Sequence, residues 1–177
     1  MVATNWTKKN ILTLFNIMLY AVCFPANPLV LTGALETSFY PALFVIGWVV
    51  LVSGMALVLA PVIMLHRRGG VPKEKSFMHT TRLVDTGIYA VVRHPLYLGG
   101  ILSIFVTTLL WYPHWLFGML GAVGTAIIYL RIVEEEQHLV QQFGEDYIRY
   151  MQKVPRMNLG VGIIRLIGRS KIEKTGG

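Results

Sequence analysis

An arginine, a histidine and a proline stand together at the start of a long apolar stretch, in the sequence IYAVVRHPLYLGG at 88–100. Pro95 suits the first turn of a helix, and the residue before a proline is pushed out of the helical conformation, so His94 is predicted at the N-cap. Tyr97 then lies on the same side of that first turn. Free N–H groups and the positive end of the helix dipole, with Arg93 and His94 as further donors, favour binding of an anion such as a carboxylate. The plainer interpretation is that Arg93 extends toward lipid phosphates and His94 only caps the helix.

Three glutamates follow a second apolar stretch, in the sequence YLRIVEEEQHLVQQFG at 129–144. In a helix Arg131 reaches Glu135 at a spacing of four residues, and Gly144 is a C-terminal stop. Salt pairs in solvent are the ordinary explanation of such charges. Acidic residues just inside a positively charged membrane face are nevertheless unusual, because anionic lipid repels them. The carboxylates could instead accept hydrogen bonds from ligand hydroxyls, as acidic residues do from ribose in dinucleotide sites.

The elements that must position these residues are predicted to be membrane helices. Of the 177 residues 54% are hydrophobic and 14% are charged, whereas a soluble domain carries about 25% charged residues. About 20 apolar residues cross a bilayer, and proline ends a helix, so the sequence WYPHW is predicted to separate two spans. The sequence therefore predicts an all-α, polytopic membrane protein, a single domain over 1–177 with about four spans, at 10–31, 40–65, 96–111 and 115–131.

The distribution of basic residues predicts which side of the membrane the loops occupy. The N-terminus, the 66–94 loop and the C-terminal tail hold two, six and eight of the 16 lysines and arginines. The positive-inside rule therefore places both termini in the cytoplasm. An antiparallel hairpin of the third and fourth spans then brings Arg93 and His94 beside the glutamates at the cytoplasmic boundary. Donors on one wall and carboxylates on the other would suit a zwitterionic ligand that bears hydroxyls.

Other functional signals in the sequence are weak. The five histidines show no zinc spacing, so no metal site is predicted. The single Cys23 lies in an apolar run and is expected to pack rather than react. A net charge of +7 could suit nucleic acid, but the charges fall at one membrane face. The basic tail is expected to lie in the interface, and no nucleic-acid partner is predicted.

Two separated blocks of the sequence resemble one enzyme superfamily. The block LVDTGIYAVVRHPLYLGG at 83–100 is followed at 135–155 by EE-x-x-L-x-x-x-FG-x-x-Y-x-x-Y-x-x-x-VP. Together they resemble the isoprenylcysteine carboxyl methyltransferase and phospholipid N-methyltransferase superfamily. The resemblance implies an integral membrane enzyme that uses S-adenosylmethionine without a Rossmann fold. It implies a cytoplasmic cofactor pocket within 83–155, with cofactor contacts from Gly87, Ile88, Tyr89, His94, Tyr97, Glu135 and Glu136.

The resemblance also implies methyl transfer to a lipophilic acceptor at the membrane face, with Arg93 and His94 as the catalytic pair. Carboxyl O-methylation of the isoprenylcysteine type stands slightly ahead of N-methylation of a phospholipid. Arg93 would bind an acceptor carboxylate or phosphate, and His94 would donate to the cofactor or assist an amine in losing a proton. The competing class is a non-catalytic membrane scaffold or small transporter. A transporter should place ionisable groups at the bilayer midplane, and the predicted spans carry none there.

Overall fold

The computed structural model of the protein describes residues 30, 32–33, 35–70 and 80–175, and side chains as far as residue 168. The described residues form helices and irregular segments, with no strand among them, which confirms the all-α class. The predicted span at 10–31 falls almost entirely outside the described residues. The helices are α1 (Pro41–Arg68), α2 (Pro95–Trp111), α3 (Trp115–Phe143), α4 (Glu145–Lys153) and α5 (Leu159–Thr175), and a 3₁₀ turn at Gly87–Ala90 precedes α2.

Two of the described helices, α1 and α3, are long and apolar enough to cross a membrane. Only 11% of the apolar window of α1 and 28% of that of α3 are buried inside the protein. Most of their apolar side chains therefore face outward, an arrangement that lipid favours and water opposes. The predicted spans at 40–65 and 96–111 agree with α1 and α2 to within three residues. Helix α3 begins at the predicted residue but continues past 131 to Phe143.

A π-helical segment at Leu102–Val106 interrupts α2 between its two α-helical parts. The hydroxyl of Thr107 donates to the carbonyl of Leu102, five residues back, at 3.0 Å. Such a bond gives a carbonyl a partner where the regular α-helical pattern is lost. Because Thr107 is buried, this bond stabilises the irregular turn inside an apolar segment.

The turn between α2 and α3 lies in the sequence WYPHW, as predicted. Tyr112 leaves the helical conformation, with φ −128° and ψ 80°, and Pro113 cannot continue the helix. His114 then supplies the first acceptors of α3. Its Nδ1 accepts from the backbone N–H of Leu116 at 3.2 Å, and its carbonyl accepts from that of Phe117 at 3.1 Å.

The chain divides into two compact units, and the first consists of the described residues up to Ser53 together with Ile101–Ile127. Aromatic side chains pack its helices together. The Trp111 ring lies 5.1 Å from that of Trp48 and 5.8 Å from that of Phe44, measured between centroids. A Cβ atom at Gly47 would collide with the Trp111 indole. Glycine is therefore required where this ring lies against α1.

The second unit consists of Gly54–Gly100 and Ile128–Gly177. Its apolar core centres on one face of α4, where Tyr147, Tyr150 and Val154 are buried against Leu83, Leu139, Val140, Phe143 and Met151. That face is presented because α3 stops at Gly144, which has a positive φ of 57°. Gly144 therefore ends α3 as predicted, and α4 starts again with Glu145 and Asp146 in its first turn.

Candidate functional site

The segment before α2 is attached to the segment that follows α4, within the second unit. The backbone N–H of Arg93 donates to the carbonyl of Pro155 at 3.0 Å, and that of His94 donates to the carbonyl of Arg156 at 3.1 Å. The hydroxyl of Tyr150 donates to the carbonyl of Tyr89 at 2.7 Å. The N–H groups of Arg93 and His94 at the predicted helix start therefore have protein partners.

The tyrosines at this attachment are buried, and burial affects the ionisation of their hydroxyls. Burial, followed by the negative charge of Glu135, raises the pKa of Tyr89 above its ordinary value. Burial is also the main cause that raises the pKa of Tyr150. The Tyr150 hydroxyl consequently stays protonated at neutral pH and remains a donor to the Tyr89 carbonyl.

The centre of the site is the carboxylate of Glu136, which is only 4% exposed. Its Oε1 lies 2.9 Å from Nη1 of Arg93 and 3.1 Å from Nε2 of His94. Its Oε2 lies 2.5 Å from Nη2 of Arg156. The structure thus brings the arginine–histidine pair and a glutamate together, as the predicted hairpin requires, and adds a third basic side chain.

The contacts of Glu136 define the hydrogen-bonding roles of its neighbours. A carboxylate only accepts hydrogen bonds, so Nε2 of His94 is the donor to Glu136 and Nδ1 is the other ring nitrogen. The hydrogen bond to Glu136 raises the pKa of Arg156 above its already high ordinary value. Nε of Arg156 also lies 3.1 Å from each oxygen of Glu136. Both oxygens therefore accept hydrogen bonds from protein donors.

The adjacent Glu135 differs from Glu136 in its hydrogen bonding. Its Oε2 is buried and has no hydrogen-bond partner in the described part of the chain. Its negative charge acts on both Tyr89 and Tyr97, and Tyr97 also interacts with it through a side-chain hydrogen bond. An unpartnered buried carboxylate oxygen costs about 1–3 kcal/mol, which a donor from a ligand would offset.

Arg93 also has buried atoms without hydrogen-bond partners, but these atoms are donors. Its side chain is only 9% exposed, yet neither Nε nor Nη1 makes an aligned hydrogen bond to any described residue. Among the described acidic side chains, Glu136 is the one within ion-pair distance of Nη1. A buried guanidinium with unused donors and a buried carboxylate with an unused acceptor thus occur in the same unit, and buried polar groups without partners often mark a ligand site.

The remaining predicted site residues lie in the same unit. Gly87 has a positive φ of 59°, and a Cβ atom there would lie 2.5 Å from Cε of Met64. Ile88 and Tyr89 follow Gly87 in the 3₁₀ turn. Tyr97 is buried, and the centroid of its ring lies 5.9 Å from that of His94.

The sequence analysis missed Arg156 and was wrong about Arg131. Arg131 pairs with Glu134, Nη1 to Oε2 at 2.9 Å, instead of with Glu135. Arg156 lies 5.0 Å from the centroid of the Tyr129 ring and also donates to its hydroxyl. The available signal was its position directly after the Val-Pro pair that ends the second block.

An open depression of about 540 Å³ lies on the same unit beside this arginine. Its lining combines one guanidinium, one amide, one phenol and two aliphatic side chains: Tyr129, Arg156, Met157, Asn158 and Leu159. Across the described residues, no group of three or more His, Cys, Asp or Glu side chains could hold a metal ion.

Comparison with known proteins gives several relatives. Protein-S-isoprenylcysteine O-methyltransferase of Xenopus laevis is 36% identical over 130 residues, covering 68% of this chain and 44% of the relative. Methanethiol S-methyltransferase 1 of Bradyrhizobium diazoefficiens is 39% identical over 67 residues, covering 38% and 22%. Protein-S-isoprenylcysteine O-methyltransferase B of Arabidopsis thaliana is 28% identical over 134 residues, covering 68% and 64%. The chain spans less than two thirds of the length of each. No solved structure matches it.

A protein-family profile covers most of the site, though not Arg156. Residues 42–146, more than half of the chain, match the family described as phospholipid methyltransferase. The matched region contains α1, α2 and α3 and both the arginine–histidine pair and the two glutamates. The chain therefore belongs to the phospholipid methyltransferase family, within the superfamily that the two sequence blocks resemble.

Proposed function

We propose that this chain is a membrane methyltransferase that binds S-adenosylmethionine in the second unit and methylates a lipophilic acceptor. The observation that carries the proposal is a set of buried atoms without hydrogen-bond partners among the described residues: Oε2 of Glu135 and Nε and Nη1 of Arg93. S-adenosylmethionine carries a carboxylate that can accept from an arginine and ribose hydroxyls that can donate to a glutamate. The residues present therefore fit this cofactor.

The proposal assigns different roles to the residues that the sequence singled out. Arg93 would bind the cofactor carboxylate, with Nδ1 of His94 close by, and Glu135 would accept from the ribose hydroxyls. Tyr97 and the 3₁₀ turn at Gly87–Ala90 would close the sides of the pocket. Glu136 would orient Arg93 and His94 from behind, because its own oxygens are engaged.

The chemistry asks mainly for positioning. When bound, the cofactor would supply a sulfonium methyl group already activated for transfer to an acceptor lone pair, with a neutral thioether as the leaving group. The chain must hold the acceptor in line and keep water away from it. A carboxylate acceptor needs no base. An amine acceptor must lose a proton, which Nδ1 of His94 could take.

We propose an acceptor carboxylate of the isoprenylcysteine type, in line with the named activity of two of the relatives. The alternative is the amine of a phospholipid head group, which the family match fits without favouring it. We further propose the finer topology that the sequence predicts: four spans, both termini in the cytoplasm and a cytoplasmic pocket. Two membrane-capable helices and the basic loops support this arrangement.

The experiment that tests the function follows the methyl group. Purified protein in detergent is incubated with methyl-labelled S-adenosylmethionine and a lipid extract of host membranes. We expect label in the organic phase that base releases, as an ester would. Base-stable label on a head group would establish the phospholipid alternative. Wild-type protein that transfers no label and binds no cofactor would leave the membrane scaffold as the function.

A further inference from the structure

We propose that Arg156 is a positioning residue that keeps the Arg93 guanidinium available to an anionic group of the ligand. The inference rests on the proposed function and adds a residue that neither sequence block contains. Arg156 acts through Glu136, because it satisfies the carboxylate oxygen that Arg93 does not contact.

The two arginines contact Glu136 unequally. Oε1 lies 2.9 Å from Nη1 of Arg93 in an ion pair, and it is 3.1 Å from both Nε2 of His94 and Nε of Arg156. The hydrogen bonds to Oε2 from the described residues come from Arg156, through Nη2 at 2.5 Å and Nε at 3.1 Å. Arg156 thus binds Glu136 through two nitrogens, whereas Arg93 approaches one oxygen through one nitrogen.

The contact of Arg156 with Glu136 affects what Arg93 can bind. A buried carboxylate oxygen without a donor is unfavourable, and a guanidinium has the geometry to bind both oxygens of a carboxylate at once. Without Arg156, Arg93 is the nearest arginine that could turn to satisfy Oε2. Its Nε and Nη1, which now lack aligned hydrogen bonds, would then be used inside the protein and lost to a ligand.

Arg156 is itself well held in place. Its guanidinium lies over the Tyr129 ring, 5.0 Å from the centroid, a favourable arrangement for a cation. Its backbone carbonyl accepts from the N–H of His94 at 3.1 Å. Side chain and backbone of one residue therefore contact the carboxylate and the arginine–histidine segment together. Lysine would keep the charge but could not reproduce the two-nitrogen contact.

The test compares two ligands on the full chain in detergent, by calorimetry. S-adenosylhomocysteine carries the amino-acid carboxylate, and methylthioadenosine is the corresponding nucleoside thioether without the amino-acid portion. We expect Arg156→Gln to weaken binding of S-adenosylhomocysteine about tenfold or more, as for one lost charge-assisted contact, and to leave methylthioadenosine binding unchanged. Arg156→Lys should give an intermediate loss. Arg149→Gln, which removes an arginine from an exposed pair with Asp146, is the matched control and should bind like wild type.

Three outcomes would overturn the inference. Wild-type affinity for S-adenosylhomocysteine in both Arg156 variants would show that Arg156 does not position Arg93. Equal weakening of both ligands would indicate a general structural role. If Arg156→Gln does not fold, the Arg156→Lys variant is used for the test. Weaker binding of both ligands to that variant would again contradict the inference. Wild type that binds neither ligand would instead reject the proposed function on which the inference rests.

Discussion

At the scale of single residues, the carboxylate of Glu136 is surrounded by three basic side chains, while Oε2 of its neighbour Glu135 is buried without a hydrogen-bond partner among the described residues. The two residues are adjacent on α3, so the difference comes from their surroundings. Glu136 contacts Arg93 and His94, whereas the charge of Glu135 acts on Tyr89 and Tyr97. Their contributions to stability and to ligand binding should therefore separate.

Replacing Glu136 with glutamine should destabilise the protein strongly. The neutral amide keeps the shape but leaves Arg93 and Arg156 without the buried negative charge that compensates them. Breaking a buried ion pair from one side costs about 3–5 kcal/mol. The measurement is the thermal midpoint in detergent, which should fall by several degrees relative to wild type. A midpoint equal to that of wild type would contradict the central role of this carboxylate.

The buried tyrosines predict a loss of stability in alkali. Burial is the first cause of the raised pKa of Tyr89, Tyr147 and Tyr150. Above about pH 10 tyrosines ionise in the unfolded chain while these stay protonated in the folded one. The unfolded state then binds fewer protons, so the free energy of unfolding decreases as pH rises; below that range they add no pH dependence. Unfolding midpoints in detergent should fall less steeply above pH 10 in Tyr150→Phe than in wild type, and parallel curves would be contrary.

At the scale of elements, α5 is positioned by a glycine at its contact with the segment before α2. A Cβ atom at Gly162 would collide with the carbonyl of Val91, whereas one at Gly168 on the same helix would meet nothing within 4 Å. Val91 lies two residues before Arg93, so displacement of α5 should disturb the site.

We expect Gly162→Ala to lower both stability and affinity for S-adenosylhomocysteine. Gly168→Ala should bind normally and be slightly more stable, because alanine favours a helix interior over glycine by about 0.5–1 kcal/mol. Thermal unfolding and calorimetry on the two variants test this. Similar behaviour of both variants would mean that the approach of α5 to Val91 is not needed.

The sequence predicts the elements better than the contacts between side chains. Apolar run length, Pro95, the WYPHW turn and Gly144 are local features, and they predict helix ends to within a few residues. The partners of Glu136 depend on side-chain geometry across elements distant in sequence, and spacing along α3 alone does not decide whether Arg131 pairs with Glu134 or Glu135. Arg156 is 20 residues from Glu136 along the chain, so no local pattern could place them together. The division of labour between Glu135 and Glu136 therefore emerges only from the structure.

At the scale of the whole molecule, the proposed cytoplasmic site requires one orientation of the chain in the membrane. Cys23 is the only cysteine, so a Cys23→Ala background permits labelling of single introduced cysteines. A cysteine at Glu145 should react with an impermeant maleimide only in inverted vesicles, since that residue follows α3 on the proposed cytoplasmic side. A cysteine at Trp115 should react from the opposite side. Labelling of both positions from one side would contradict the four-span topology.

We propose above all that Glu135 and Arg93 lie on opposite walls of a pocket for the cofactor. Calorimetric titration of S-adenosylhomocysteine into wild type, Glu135→Gln and Glu134→Gln tests it most directly, because Glu134 is an exposed neighbour that pairs with Arg131. We predict that wild type and Glu134→Gln bind equally and that Glu135→Gln binds about tenfold more weakly, as for one lost charge-assisted hydrogen bond. Undiminished binding in Glu135→Gln, or an equal loss in both variants, would contradict the account.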